Sequence, residues 1–254
     1  MNDQIKAYFV SDIHLGSVNE PNFILFHQWL QNLKATHLFL MGDIFDLWIG
    51  EHEYFKDKYK LIIDELIRLA KEGTKIHYFE GNHDLYLKSY WQNELGFKVH
   101  EQAEYFQLGK WVIRAEHGDQ VDPEDRGYIF LRWFLRTRFM RFIAKNLPQS
   151  LVVKIGEKAS ESSRHYTSEV KSITTEKTRE KLHIHAEKAY KEKAFDWLIY
   201  GHVHVKDEYY IQVGDKKVGA FNLGTWLKEP LVFCLEDSGG YLSKVSGLGT
   251  TTST

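Results

Sequence analysis

Five short polar motifs, most of which follow an apolar strand-like run, constrain this chain more than any other feature. A lone Asp-x-His is a weak signal, because any turn can hold one, but five pieces in one order are hard to obtain by chance. Open α/β sheets place their ligands at the carboxyl ends of strands. In chain order the motifs are Asp12-x-His14, Gly42-Asp43, Gly81-Asn82-His83-Asp84, His117-Gly118-Asp119 and Gly201-His202-Val203-His204.

Hydrophobic periodicity predicts an α/β protein with a two-layered or sandwiched sheet and loops that converge on one edge. Strands are predicted at Ala7–Ser11, His37–Met41, Lys75–Phe79, Tyr105–Leu108, Trp111–Ala115, Trp197–Tyr200, Tyr209–Val213, Val218–Asn222 and Pro230–Leu235, and helices at Phe23–Leu33 and Lys60–Lys71. We expect one domain over residues 1–245. Residues 246–254 are mostly Gly, Ser and Thr, which predicts a flexible tail.

The charge distribution is asymmetric although the net charge is only −2. Residues 126–193 contain 16 Lys and Arg against 7 Asp and Glu, whereas the remainder contains 17 against 28. A basic segment in an acidic protein indicates an anionic partner: phosphate, nucleic acid or a lipid surface. No run of 18 uncharged apolar residues predicts a membrane span, and no signal peptide is recognisable. With a single cysteine, Cys234, these features predict a cytoplasmic protein.

We predict that the basic segment, about 126–193, is a helical insertion over the mouth of the site. Tyr128–Leu147 interleaves aromatic and aliphatic residues with four arginines, and Lys177–Lys193 has Leu182, Ile184 and Ala189 as a thin apolar side. One interpretation is a core-packing helix with a solvated basic face. The other is an amphipathic helix that lies on anionic lipid and takes up acyl chains. The aromatic residues favour lipid over nucleic acid, and His183 and His185 are expected at the surface.

The residue types in the motifs suit a pair of divalent metal ions that activates water for attack on a phosphate ester. We expect Asp43 to bridge the two ions. Asp12, His14 and His204 would bind the first ion, and Asn82, His117 and His202 the second. Asp84 and Asp119 adjoin these ligands and could orient their imidazoles.

His83 is not needed as a ligand in this assignment. An unligated imidazole beside the ions could hold a phosphoryl oxygen or protonate a leaving group. We therefore predict His83 and Asp84 as the catalytic residues. The alternative for His83 is a scaffold without a chemical role.

The five motifs resemble the signature of the calcineurin-like metallophosphoesterase superfamily, over the chain from Tyr8 to about Trp226. Within it, the chain is most similar to the UDP-2,3-diacylglucosamine hydrolases, the pyrophosphatases of lipid A synthesis. Three segments carry this closer similarity: Ser11-Asp12-Ile13-His14-Leu15, the stretch from His117 through Asp125 to Tyr128, and Asn222-Leu223-Gly224-Thr225-Trp226. The insertion also falls where that family has its lipid-binding lid.

The resemblance implies a four-layer αββα sandwich with a helical lid and two Mn²⁺ ions. The implied reaction is attack by a metal-bridging hydroxide on UDP-2,3-diacylglucosamine, giving UMP and 2,3-diacylglucosamine 1-phosphate. It also implies a peripheral place on the cytoplasmic face of the inner membrane. The implied substrate-binding residues are Asn82, His83, Asp125, Tyr128, Ser163, Arg164 and His202.

The chain departs from that family at two places. His83 stands where the lipid A enzyme usually has Arg, and a Cys-Thr-Asp-Asp stretch is replaced by Asp122-Pro123-Glu124-Asp125. For Asp125 and Tyr128, helix capping and packing are an equal alternative to substrate contact. A metallophosphoesterase acting on another nucleotide, phosphodiester or nucleic-acid substrate is therefore the alternative function, and the oligomeric state is left open.

Overall fold

Two β-sheets stack face to face in the computed structural model of the protein, which describes residues 4–155, 158, 175–246 and 251–253. The strands are β1 Lys6–Val10, β2 His37–Leu40, β3 Trp48–Ile49, β4 Lys75–Phe79, β5 Asp84–Leu85, β6 Lys98–His100, β7 Glu104–Leu108, β8 Trp111–Ala115, β9 Trp197–Tyr200, β10 Lys206–Val213, β11 Lys216–Leu223, β12 Leu231–Glu236, β13 Gly239–Val245 and β14 Thr251–Ser253. One sheet has the order β14-β13-β12-β1-β2-β4-β6 and the other β10-β11-β9-β8-β7, while β3 and β5 form a separate pair.

The described helices flank the sheets and build the insertion. They are α1 Pro21–Asn32, α2 Glu53–Lys58, α3 Lys60–Lys71, α4 Arg126–Leu135, α5 Arg138–Asn146, α6 (149–155) and α7 Thr175–Glu192, with one π-helical turn at Lys88–Gln92. Among the described residues, no helix combines the length and the apolar character needed to cross a bilayer.

The alternation of side chains in β1 shows why the layers form. Ala7 and Phe9 point into the core between the sheets, where Phe9 stacks on Phe39 with ring centroids 4.2 Å apart. Tyr8 and Val10 point the other way, into the core beneath α1 and α3. Because β1 is buried on both faces, it reads as a continuous apolar run. Helix α7 covers the outer face of the five-stranded sheet, which confirms the predicted four-layer αββα sandwich.

Helix α7 attaches through a narrow apolar strip between two polar rows. Leu182, Ala186 and Ala189 are buried against the sheet. On one side Arg179, His183 and Glu187 contact Asp207 and Tyr209 of β10. On the other side Lys181 and His185 reach Asp122 and Glu116. The apolar side was therefore partly misassigned, since Ile184 is exposed. The surface prediction is wrong for His185, whose ring is mostly buried beside Glu116.

Each predicted strand is present, with small shifts in its ends. The predicted aromatic run Tyr128–Leu147 is divided into α4 and α5, because Thr137 caps α5 by accepting a bond from Met140 N at 3.3 Å. Within the expected flexible tail, 251–253 pair with β13 as a short edge strand. Residues 247–250 and 254 lie outside the described part of the chain.

Three arginines of the insertion, Arg132, Arg136 and Arg141, point towards the body of the protein. Arg132 pairs with Asp119, Arg136 lies beside Glu80, and Arg141 binds Glu101 at 2.9 Å. The expected solvated basic face is therefore wrong for these three side chains. The outward surface, named here the aromatic face, is apolar and comprises Ile129, Phe130, Leu131, Trp133, Phe134, Phe139, Phe142, Leu151 and Ile155.

Three histidines lie side by side on the inward face of β2, β4 and β6. The ring centroids of His37 and His77 are 6.3 Å apart, and His77 Nδ1 lies 3.1 Å from His100 Nε2. Burial, aided by nearby lysines, lowers the pKa of His37 to about 4, of His77 to about 3 and of His100 to about 4. These histidines are therefore neutral in the folded protein near neutral pH.

The free energy of unfolding should fall as the pH is lowered from about 6.5 to about 4. Unfolded histidines take up protons near pH 6.5, whereas the folded His77 and its neighbours resist protonation, so acid favours the unfolded chain. Replacing His77 with Phe should flatten this dependence, which urea unfolding of metal-free protein at a series of pH values would measure. An identical pH slope in the variant would contradict the assignment.

Candidate metal centre

The predicted ligands lie on loops that turn sharply where strands end. Five of them have left-handed backbone: Asp12 (φ 51°), His14 (φ 53°), Asp43 (φ 52°), His202 (φ 71°) and His204 (φ 55°). This region is uncommon for residues other than Gly and is concentrated at functional sites. The turn lets side chains two positions apart converge on one point, as those of the first motif do.

The first ligand group is Asp12, His14, Asp43 and His204, whose ligand atoms all lie within 4.8 Å of one another. His204 Nε2 lies 3.1 Å from both Asp12 Oδ1 and His14 Nε2. The Asp12 carboxylate also accepts the backbone N–H of His202 at 2.9 Å. The two motifs farthest apart in the sequence are thereby joined at this group.

The second group contains Asp43, His117 and His202, again within 4.8 Å. Asn82 Oδ1 lies 3.2 Å from His117 Nε2 and 3.1 Å from His202 Nδ1. His117 Nδ1 donates to Met41 O at 2.9 Å, which leaves Nε2 free to bind a cation. Asp43 belongs to both groups, as expected of a bridging ligand. All seven predicted ligands thus come together with nitrogen and oxygen donors, which fit a pair of divalent transition-metal ions.

The electrostatics of the site favour ionised carboxylates at both ligand groups and neutral imidazoles at His14 and His202. At His117 burial is outweighed by nearby carboxylates, Asp43 foremost, which raise the pKa. Burial acts to raise the pKa of Asp12, but the hydrogen bond and charge of His204 lower it to about 2. Burial is likewise outweighed at Asp43, where four nearby imidazoles, His117 foremost, lower the pKa. Burial lowers the pKa of His14 and of His202 to about 4. These are the protonation states in which such side chains bind metal.

His83 lies beside the first ligand group. Its ring is buried and stands edge-on to the His14 ring, with centroids 4.8 Å apart. Its Nδ1 donates to the Asp46 carbonyl at 2.9 Å. His14, Asp46 and His83 also have ligand atoms within 4.8 Å of one another, and the motif pattern gave no signal for Asp46.

Asp84 holds the backbone of two motifs rather than an imidazole. One oxygen accepts bonds from Asp43 N at 3.1 Å and Gly81 N at 2.7 Å. The other accepts from Ile44 N at 2.9 Å and from the Tyr78 hydroxyl at 2.8 Å. Burial, with the charge of Asp43, raises the pKa of Asp84 to about 7. Because these donors use both oxygens, Asp84 does not orient an imidazole as predicted. Its catalytic role stays a prediction.

Asp119 also differs from its predicted role of orienting an imidazole. Its carboxylate binds Arg132 Nε and lies 3.8 Å from Arg136 Nη1. Asp119 therefore fastens α4 to the loop that carries His117.

Some of the predicted substrate contacts lie in the described part of the chain and others lie outside it. Asp125 is the N-cap of α4 and accepts the Tyr128 N–H at 2.9 Å, so the capping alternative describes it. The Tyr128 ring lies 5.3 Å from the His202 ring, and its hydroxyl is buried without a hydrogen-bond partner. Ser163 and Arg164 fall outside the described residues.

The segment Asn222–Trp226 supports the loops from behind. Asn222 Nδ2 donates to Gly201 O at 2.7 Å, and the Thr225 hydroxyl donates to Asp12 O at 3.0 Å. The Trp226 ring packs edge-on against Phe26. This motif therefore positions the ligands without binding a cation itself.

Sequence reasoning missed the polar contacts that surround the site. Glu116, next to His117, is buried and accepts bonds from His185 and from Arg114 Nε. Arg132 and Arg136 reach the site from the insertion. No local sequence pattern indicates such pairs, because the two residues of each pair lie far apart along the chain.

Replacing Asp84 with Asn should destabilise the fold. An amide nitrogen cannot accept a hydrogen bond, so at least one buried backbone N–H would lose its partner, which costs about 1–3 kcal/mol. Urea unfolding would measure the loss, with Asp125→Asn as the control because Asn also caps helices well. Lost catalysis at unchanged stability would instead support a catalytic role for Asp84.

Comparison with known proteins agrees with this geometry. The profile of the family described as calcineurin-like phosphoesterase matches residues 5–206. A protein named UDP-2,3-diacylglucosamine hydrolase from Histophilus somni is 27% identical over 78% of this chain and 84% of its own length. A protein of the same name from Photorhabdus laumondii is 27% identical over 90% of this chain and 94% of its own length.

Among solved structures, Vacuolar Protein Sorting 29 from Cryptosporidium parvum aligns with a TM-score of 0.47 at 16% identity, covering 99% of this chain and 96% of that one. The family match spans all five motifs. The chain therefore belongs to the calcineurin-like phosphoesterase family.

Proposed function

We propose that the protein hydrolyses the pyrophosphate bond of UDP-2,3-diacylglucosamine to UMP and 2,3-diacylglucosamine 1-phosphate. The observation that carries this proposal is the pair of ligand groups that share Asp43. The names of the relatives supply the substrate.

Two Mn²⁺ ions are the proposed cofactors. Asp12, His14, Asp43 and His204 would hold one ion, and Asp43, Asn82, His117 and His202 the other. Bound ions would supply Lewis acidity and lower the pKa of water at the site. The buried imidazole and carboxylate donors match what Mn²⁺ accepts.

His83 is the proposed contact to the reacting phosphate, and Tyr128 is a second proposed contact to the diphosphate. The Asp46 carbonyl fixes Nδ1 of His83 as a hydrogen-bond donor, so Nε2 would donate to a phosphoryl or leaving oxygen when the ring is protonated. The buried Tyr128 hydroxyl has no hydrogen-bond partner among the described residues and can donate to a phosphate oxygen. Asn82 and His202 lie at the second ligand group, and Ser163 and Arg164 complete the proposed contact set.

The aromatic face is proposed to take up acyl chains and to rest on the cytoplasmic surface of the inner membrane. The Phe139 and Phe142 side chains are each 66% exposed. Contiguous exposed apolar side chains are costly in water and mark binding surfaces. Arg132, Arg136 and Arg141 point inward, so the attraction to lipid would come from apolar contact together with exposed basic side chains such as Arg138 and Lys154.

Metal analysis and product analysis test the centre together. Asp43→Ala should lose both Mn²⁺ ions and form no UMP, because Asp43 is shared, whereas His14→Ala should lose one ion. The exposed Asp57→Ala is the matched control and should bind two. Mn²⁺ content by mass spectrometry and UMP release in detergent are the measurements. Full activity of Asp43→Ala would contradict the proposed centre.

If UMP is not formed but an aryl phosphodiester is cleaved, the metal centre stands and the substrate is another phosphate ester. This outcome would reassign the protein to the alternative function.

Replacing both Phe139 and Phe142 with Ser should reduce hydrolysis of the diacylated substrate and co-sedimentation with liposomes. Cleavage of an aryl phosphodiester should be unchanged, because the metal ligands are untouched. Ile24→Ser with Leu61→Ser, which alters exposed apolar residues of α1 and α3, is the matched control. Equal liposome binding by both double variants would contradict the role of the aromatic face.

A further inference from the structure

One face of the insertion points at the metal centre through three evenly spaced side chains. Tyr128, Arg132 and Arg136 are each four residues apart, so they lie along one side of α4 and its C-cap. Tyr128 stacks near His202, Arg132 binds Asp119, and Arg136 reaches Gly81. We name this side of α4, with Tyr128, Arg132 and Arg136, the inner face; the aromatic face is on the other side of the helix.

Arg136 is under-bonded for a largely buried guanidinium. Its Nη2 lies 3.4 Å from the carbonyl oxygens of Glu80 and Gly81, at the far limit of hydrogen bonding. Its Nη1 lies 3.8 Å from Asp119 and its Nε 3.8 Å from Glu80. The Nε atom is buried and makes no hydrogen bond. Arginine normally satisfies its donors with a carboxylate or phosphate at closer range.

Arg132 differs from Arg136 in this respect. Its Nε is held by Asp119, and its Nη2 donates to Glu101 O at 3.2 Å. Arg132 therefore acts as an anchor of α4. Arg136 and the Tyr128 hydroxyl are left with unused donors on the same inner face.

A diphosphate substrate brings a second phosphate that the two ligand groups do not account for. The carbonyl that Arg136 touches belongs to Gly81, which directly precedes the ligand Asn82. The planar guanidinium at this place can donate to two oxygens of a phosphate at once.

We propose that Arg136 is a substrate-binding residue that contacts the phosphate not attacked by water, with the Tyr128 hydroxyl as a second donor. This inference rests on the proposed diphosphate hydrolysis. The insertion thus supplies a phosphate contact as well as an apolar surface.

The test compares Arg136→Gln and Arg136→Lys with Arg138→Gln, which removes the same charge from an exposed side chain at the start of α5. For Arg136→Gln, KM for UDP-2,3-diacylglucosamine should rise about ten- to a hundredfold, as expected for loss of a charged hydrogen bond. Cleavage of an aryl phosphodiester, which has one phosphate, should change little. Arg136→Lys should recover part of the loss. Arg138→Gln should keep the KM of the unmodified protein.

A binding measurement separates this inference from the proposed reaction. Inorganic pyrophosphate titrated calorimetrically into Mn²⁺-loaded protein should bind more weakly to Arg136→Gln by a similar factor, with unchanged Mn²⁺ content. If the unmodified protein releases no UMP yet Arg136→Gln still weakens pyrophosphate binding, the proposed substrate fails and the phosphate contact stands. Unchanged pyrophosphate binding would overturn the inference. Equal losses of activity on both substrates, with a lower melting temperature, would also overturn it and make Arg136 an anchor like Arg132.

Discussion

The shared carboxylate of Asp43 is the point on which the rest of the site depends. One of its oxygens accepts the backbone N–H groups of Asn82 and His83, both at 2.9 Å. Its own N–H is held by Asp84. Gly81 is needed at this contact because a Cβ there would lie 2.6 Å from Asp43 N. The second and third motifs are therefore locked together before any cation binds, and a prepositioned site holds metal more tightly than a flexible one.

The ligands are brought together by backbone that is itself unfavourable. Five non-glycine residues in the left-handed region each cost free energy, which the surrounding structure must offset. Here the loops of the first two motifs run side by side, with His14 N bonded to Asp43 O at 3.1 Å. Thr225 and Trp226 hold Asp12 from the opposite side. The backbone strain at these residues is thus offset by hydrogen bonds of their own backbone groups, which leave the side chains available for a cation.

The insertion is joined to this centre through charge and presents apolar surface outward. Arg132 and Arg136 approach Asp119 and Glu80, which flank the ligands His117 and Asn82. Buried ion pairs of this kind fix orientation more than they add stability. The aromatic face and the inner face of α4 consequently keep a fixed relation to the site. Under the proposed function, that arrangement lets one short helix contact both an acyl chain and a phosphate.

The sequence by itself determined the layers and the seven candidate ligands that the fold brings together, because strand alternation and strand-end motifs are local patterns. It could not assign Asp84, Asp119 or His185, since their partners are chosen by packing between distant segments. Its place next to a ligand predicted that Asp84 orients an imidazole, whereas the tertiary structure uses both its oxygens on backbone and Tyr78. The direction of Arg132, Arg136 and Arg141 was likewise decided only in three dimensions. The buried Glu80 and Asp119 and the partly buried Glu101 attract these side chains inward, and the aromatic residues face outward.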